Sequence, residues 1–216
     1  MTMTGSRHVV SAARPSTSAA DRRTSPFDDP EARLVAGVFG MWVFLVVLGV
    51  FFAAAMIAFV AVRIDLGASD LWSAPEAPPP PPILLLSTVV LAMTSLVLVR
   101  ADRAVVVGGD PAPGLRGGLA LGAVFLLLQG WAWIEWWRQG LEPTTDLYAW
   151  TFYVLTGVHG LHVVGGLVAI AWVLGRWSRP APRPLRIGSV RFTGMYWHFL
   201  GLAWLGFYGL LWWAAP

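Results

Sequence analysis

The sequence predicts an all-α integral membrane protein, a bundle of five transmembrane helices. Three observations carry that prediction. Only 12% of the 216 residues are charged against 56% hydrophobic, about half the charge of an ordinary soluble domain. The apolar residues gather in five runs, at about 35–62, 83–99, 117–137, 147–177 and 192–213. All fifteen basic residues are arginine, and thirteen of them fall in segments on one side of those runs.

Residues 1–32 mix Ser, Thr, Pro, Arg and Asp without an apolar run, the composition of a disordered tail. They hold no apolar core of a cleavable signal peptide, so the first span is expected to serve as the signal. The membrane domain is then 33–214. Each of its runs reaches the roughly 17–25 residues that cross about 30 Å of hydrocarbon. Lipid offers the backbone no hydrogen-bond partners, which selects helices for runs of this length. Barrel strands would be about ten residues long and would alternate in polarity, and these runs do not.

Helix 1 carries no ionisable residue, and its Gly49 and Ala53 suit close helix contact. The link to helix 2 ends in five prolines, Pro78 to Pro82, a stiff polyproline II spacer or, alternatively, a docking site for a proline-binding domain. Helix 3 contains Gly118 and Gly122, the buried-depth amide Gln129, and Glu135 one turn before Arg138, an expected i,i+3 pair. Helix 4 holds Thr156, His159, His162 and the glycines 157, 160, 165 and 166. Small residues let helices approach in lipid, so helix 4 is expected at the centre. Helix 5 carries Trp197 and His198.

Orientation follows from the arginines. Arg7, Arg14, Arg22, Arg23 and Arg33 precede helix 1; Arg100, Arg103 and Arg116 join helices 2 and 3; Arg176, Arg179, Arg183, Arg186 and Arg191 join helices 4 and 5. Only Arg63 and Arg138 lie opposite. The positive-inside rule puts the N-terminus in the cytoplasm and the C-terminus outside, and accounts for the pI near 9.9 without nucleic acid. Trp136, Trp137, Tyr148, Trp150, Trp212 and Trp213 fall at the outer ends, where amphipathic rings suit the headgroup level.

The absence of cysteine excludes disulfides, thiolate nucleophiles and Cys-ligated metals. His159 and His162 share a helix face, a spacing compatible with ligation. His198 lies about 10 Å from the cytoplasmic end of its helix and His162 about 20 Å from that of helix 4. Ligands to one metal must converge within about 2 Å, so a shared site is not expected. A hydrogen bond from Gln129 to His162 or His159 is, with a lipid-headgroup or proton-linked role and ligation left as alternatives. No Walker loop, dinucleotide fingerprint, Ser/His/Asp order or HExxH occurs. The residues suggest assembly rather than chemistry.

Three segments carry a resemblance. Thr156-Gly157-Val158-His159-Gly160-Leu161-His162-Val163-Val164-Gly165-Gly166, Tyr196-Trp197-His198-Phe199 followed by Trp204, and Gly40-Met41-Trp42-Val43-Phe44-Leu45 resemble the helix 4, last-helix and first-helix motifs of cytochrome c oxidase subunit III in its short five-helix bacterial form. The resemblance implies a non-redox subunit of a proton-pumping haem-copper oxidase in a bacterial inner (plasma) membrane. Such a subunit has no catalytic, cofactor or metal residues of its own. Haem and copper sit in the catalytic partners, and the chain contacts oxidase subunit I directly and belongs with subunit II. Phospholipid lies in a V-shaped cleft between helices 1–2 and 3–5. Gln129, Thr156, His159, His162, Trp197 and His198 are the expected interhelical polar network or lipid cleft. Three carboxylates of the family pattern are replaced, by Leu48, Ala132 and Gly201, so lipid clamping and scaffolding carry over more readily than proton uptake. Two alternatives remain: a subunit III-like accessory of a nitric oxide reductase, and a stand-alone membrane binding protein or transporter. The second would show paired repeats, which five spans cannot supply.

Overall fold

The computed structural model describes residues 29–66 and 80–215. The tail expected at 1–32 and the link before the prolines therefore lie largely outside the described residues. The described chain is five helices: α1 (Pro30–Leu66), α2 (Ile83–Val106), α3 (Ala112–Arg138), α4 (Leu147–Arg176) and α5 (Arg183–Ala214). Four of them, α1 to α4, are long and apolar enough to cross a membrane. The 32 residues of α5 are long enough, but its arginines, glycines, tryptophans and His198 lower its hydropathy.

Most helices outrun their apolar cores. α2 continues through Arg100 and Arg103, and α5 begins nine residues before the apolar run. A helix needs no further apolar residues once it enters the headgroup region, where water satisfies its polar side chains. Punctuation, rather than hydrophobicity, sets the ends. Gly108 and Gly140 take positive φ, +85° and +81°. At each the two closing N–H groups reach back, from Gly109 to Ala104 and from Leu141 to Trp136, in the Schellman arrangement that left-handed glycine permits. Asp146 caps α4, accepting from the Ala149 N–H at 2.7 Å.

α2 and α3 form the closest hairpin. A Cβ on Gly114 would lie 2.8 Å from that of Ala101, and one on Gly118 would lie 2.8 Å from Leu98 Cδ2. α2 also packs on α5, α3 on α4, and α4 on α5, while α1 lies against α5. The hub is thus α5, with three neighbours, rather than α4. The small residues of α4 do allow close contact, but the large rings of α5 fill the space they leave. α2 thus sits with α3 and α5, and α1 with α5.

α1 buries a single stripe, Leu45, Leu48, Phe52 and Phe59, and turns Phe39, Val43, Val47, Val50 and Ile57 outward. Similar apolar residues cover the outer faces of α2, α3 and α4, the pattern of a protein solvated by lipid or by other apolar helices. Glu135 and Arg138 form no pair. Holding two long solvated side chains together costs about as much as the attraction returns. Among the described residues the ion pair is Arg191 Nε to Asp102 Oδ1 at 3.4 Å, tying α5 to α2.

Candidate functional site

Of the polar residues singled out from the sequence, Gln129, Thr156, His159 and Trp197 lie buried in the interior among α2, α3, α4 and α5. Gln129 is buried and donates from Nε2 to Ser87 Oγ at 2.9 Å, not to either histidine. The reason lies in α2. Ser87 and Thr88 both donate to the Leu84 carbonyl, each at 2.8 Å, which leaves their oxygens free to accept. Ser87 takes the Gln129 amide, and Thr88 takes the Trp204 indole N–H at 2.8 Å. One turn of α2 thereby holds α3 and α5. The only sequence signal for this role was a pair of hydroxyls at the start of an apolar run, and neither was singled out.

His159 is fully buried, and neither ring nitrogen has a hydrogen-bond partner among the described residues. Its surroundings are rings: Phe125 at 5.8 Å edge-on, Trp204 at 5.3 Å, Phe207 at 6.2 Å and Phe52 at 6.4 Å between centroids. Phe52 of α1 thus reaches through to α4. It also meets His162 edge-on at 5.0 Å. His162 Nδ1 lies 2.8 Å from the Val158 carbonyl; a carbonyl only accepts, so that nitrogen carries the proton. Tyr196 donates to the His162 carbonyl at 3.0 Å.

Trp197 is a wedge. Its indole is fully buried, donates to the Gly166 carbonyl at 3.3 Å, and passes so close to Gly166 and Gly122 that Cβ atoms there would lie 3.0 Å and 2.6 Å away. It locks α5 against α4 and α3 together. Thr156 accepts from Trp133 Nε1 at 3.0 Å while donating to Phe152 at 2.6 Å, another α3–α4 tie.

His198 is apart from these. It is half-buried on α5 and lines two grooves, one of about 350 Å³ against α2 with Ser95 and Trp204, and one of about 360 Å³ against α1 with Trp42 and Leu45. Leu48 is buried in the α1 stripe. Among the described residues no three of His, Asp and Glu gather in a group able to hold a metal. His159 and His162 are brought to one ring, Phe52, and His198 is not brought to them. The arrangement joins helices.

The family model for cytochrome c oxidase subunit III matches residues 32–215. The cytochrome c oxidase subunit 3 of Thermostichus vulcanus is 30% identical over 179 residues, covering 81% of this chain and 85% of that protein. That of Synechocystis is 32% identical over 174 residues, 78% of this chain and 71% of the relative. A probable cytochrome c oxidase subunit 3 of Nocardia farcinica is 32% identical over 93 residues, which span 43% of this chain and 46% of that protein. With four helices long and apolar enough to cross a membrane, an interior spent on joining them, and a match across residues 32–215, the chain belongs to the cytochrome c oxidase subunit III family.

Proposed function

We propose that the chain acts as a non-redox subunit of a proton-pumping terminal oxidase in a bacterial plasma membrane, holding the catalytic subunit and phospholipid rather than transferring electrons. Membership of the subunit III family implies an assembly with other oxidase subunits. The observation that carries the finer reading is the use made of the buried polar groups: Gln129, Thr156, Trp197 and Trp204 each join two helices. The outward faces of α1 to α4 are apolar along their length, suited to acyl chains and to the helices of a catalytic subunit I. In this reading haem and copper belong to the partners. α5 is the fifth span, the N-terminus is cytoplasmic and the C-terminus outside, as the arginine bias favours.

The test is purification of the chain from its native membrane in mild detergent, followed by reduced-minus-oxidised spectra, metal analysis and gas uptake. Haem a or o with copper and cyanide-sensitive oxygen uptake is expected. Haem b with non-haem iron and nitric oxide consumption would replace the oxidase by a reductase host, the reading that the loss of carboxylates at Leu48, Ala132 and Gly201 favours. Reporter fusions at the C-terminus check the orientation: a periplasmic reporter is active and a cytoplasmic one silent.

A further inference from the structure

α1 and α2 both lie against α5, and each leaves a groove beside the α5 ridge of His198 and Leu202, which lines both. The groove on the α2 side holds about 350 Å³, within the range of small-molecule sites. Leu91, Ala92, Trp204 and Leu205 form its apolar walls, and Ser95 and His198 face it from opposite helices. Among the described residues no Asp, Glu or Arg lines it. An ionisable side chain placed within a membrane span, beside a cavity, marks a candidate site.

The other hydroxyls of α2 are engaged. Ser87, Thr88 and Thr94 each donate to a carbonyl of the preceding turn, and Thr88 also accepts from Trp204. Ser95 and His198 differ: among the described residues neither side chain has a hydrogen-bond partner. Ser95 Oγ lies 3.6 Å from where a Cβ on Gly201 would stand, and Gly201 follows His198 by one turn of α5. The absent side chain at Gly201 and the single methyl of Ala92 keep the space between hydroxyl and imidazole open. Ser95 lies about 8 Å inward of Arg100, and His198 about 10 Å inward of Arg191, at the helical rise. The pair therefore sits just beneath the charged level of the bundle.

A phosphate head would find no cation in this groove, and an ammonium would find no carboxylate. A hydroxyl and an imidazole can each donate or accept a hydrogen bond. They suit a neutral ring whose polar atoms change role, accepting as the carbonyls of a quinone and donating as the hydroxyls of a quinol. Trp204 supplies a flat wall for such a ring. Across the His198–Leu202 ridge, the groove against α1 is lined by Trp42, Leu45 and Phe199, apolar surface for a long hydrocarbon tail. We infer that the α2–α5 groove binds the head of an isoprenoid quinone or quinol, with Ser95 and His198 on its oxygens and the tail passing over Leu202 towards Trp42. The chain binds this molecule and passes no electron. The inference rests on α5 being a membrane span, as proposed above.

The test is photolabelling of native membranes with an azido derivative of a short-chain quinone, followed by purification of the complex and mass spectrometry of the labelled peptides. Label is expected on the α2 and α5 peptides around Ser95 and His198, competed by the unmodified short-chain quinone and not by phosphatidylglycerol. S95A/H198L should lower labelling of those peptides on the order of tenfold, the scale for losing two hydrogen bonds. H198Q, which keeps a donor and an acceptor, should fall between. A92L fills the groove from an exposed position and should abolish the label without touching the interior. Unchanged labelling in S95A/H198L overturns the proposal, and A92L is read in the same way if the double variant fails to assemble. Competition by phosphatidylglycerol also overturns it, making the groove a lipid seat, as does a partner helix lying in the groove in a structure of the complex. Recovery of the chain without any haem-containing partner would overturn the oxidase reading instead. The label, placed before purification, still decides the groove.

Discussion

Replacing Gly122 with alanine adds one methyl group where a Cβ would lie 2.6 Å from Trp197 Cη2 and 2.8 Å from Leu167 Cδ2. Carbon atoms in ordinary contact sit about 3.5–4.0 Å apart, so each neighbour must retreat by roughly 1 Å. Leu167 can rotate. Trp197 cannot yield in the same way, because its indole is fully buried, bonded to the Gly166 carbonyl, and 3.0 Å from the Cβ position of Gly166 on its other edge. Overpacking of this kind costs about 1–3 kcal/mol. Alanine returns up to about 1 kcal/mol of helix propensity, leaving a net loss of up to about 2 kcal/mol. Gly130, on the same helix with nothing within 4 Å of its Cβ position, supplies the control: G130A should be neutral or slightly stabilising. The assay is reversible SDS unfolding of the purified chain, with thermal unfolding of the assembled complex beside it. W197F removes the clashing edge, so the G122A penalty should fall by more than half in that background, a coupling that a double-mutant cycle isolates. If G122A matched G130A in stability, or kept its full penalty with Phe at 197, the wedge would be wrong.

Three further predictions follow from the interior. Q129L should cost under about 1 kcal/mol, because interhelical hydrogen bonds in membranes average about 0.6 kcal/mol and the change also removes a buried carbonyl oxygen that has no partner; a cycle with S87A should show the coupling, and a cycle with H159L should show none. H159L removes no hydrogen bond and should change stability by less than about 1.5 kcal/mol, leaving the haem-to-protein ratio of the purified complex unchanged; loss of haem with assembly intact would revive ligation. L48E buries a carboxylate within the α1 stripe and should lower stability by about 2–3 kcal/mol, the scale for an acidic group near the centre of a span, read as reduced co-purification of the chain with its partners; wild-type yield and stability would mean the site is solvated.

Much of the architecture was written in the pattern of hydropathy. Lipid makes a long uncharged run a helix whatever its neighbours are, so all five helices were found, and the start of α2 and the ends of α3 and α4 fell within a residue of prediction. Both ends of α1 and the start of α5 were not, because beyond the hydrocarbon a helix is limited by prolines and caps rather than by apolar content. The polar residues of the interior were also legible, since any hydrogen-bonding group in an apolar run stands out. Their partners were not. Gln129 and His162 sit at similar depths, and depth was all that spacing along a helix could supply.

What the sequence determined by itself is the local chemistry: which segments are helical, which end carries the charge, and which family the motifs around His159 and His198 belong to. Only the tertiary structure decided the rest. Gly122 and Gly130 are alike in the sequence, but one faces an indole and the other faces open space. Ser87 became the partner of Gln129 because α2 lies beside α3, and α5 rather than α4 became the hub because its rings fill what the glycines leave. Each of these depends on the rotation of one helix about its axis relative to another. That rotation is set by the packing of all five together, since in lipid both faces of an apolar helix are equally soluble and hydrophobicity alone does not say which one turns inward.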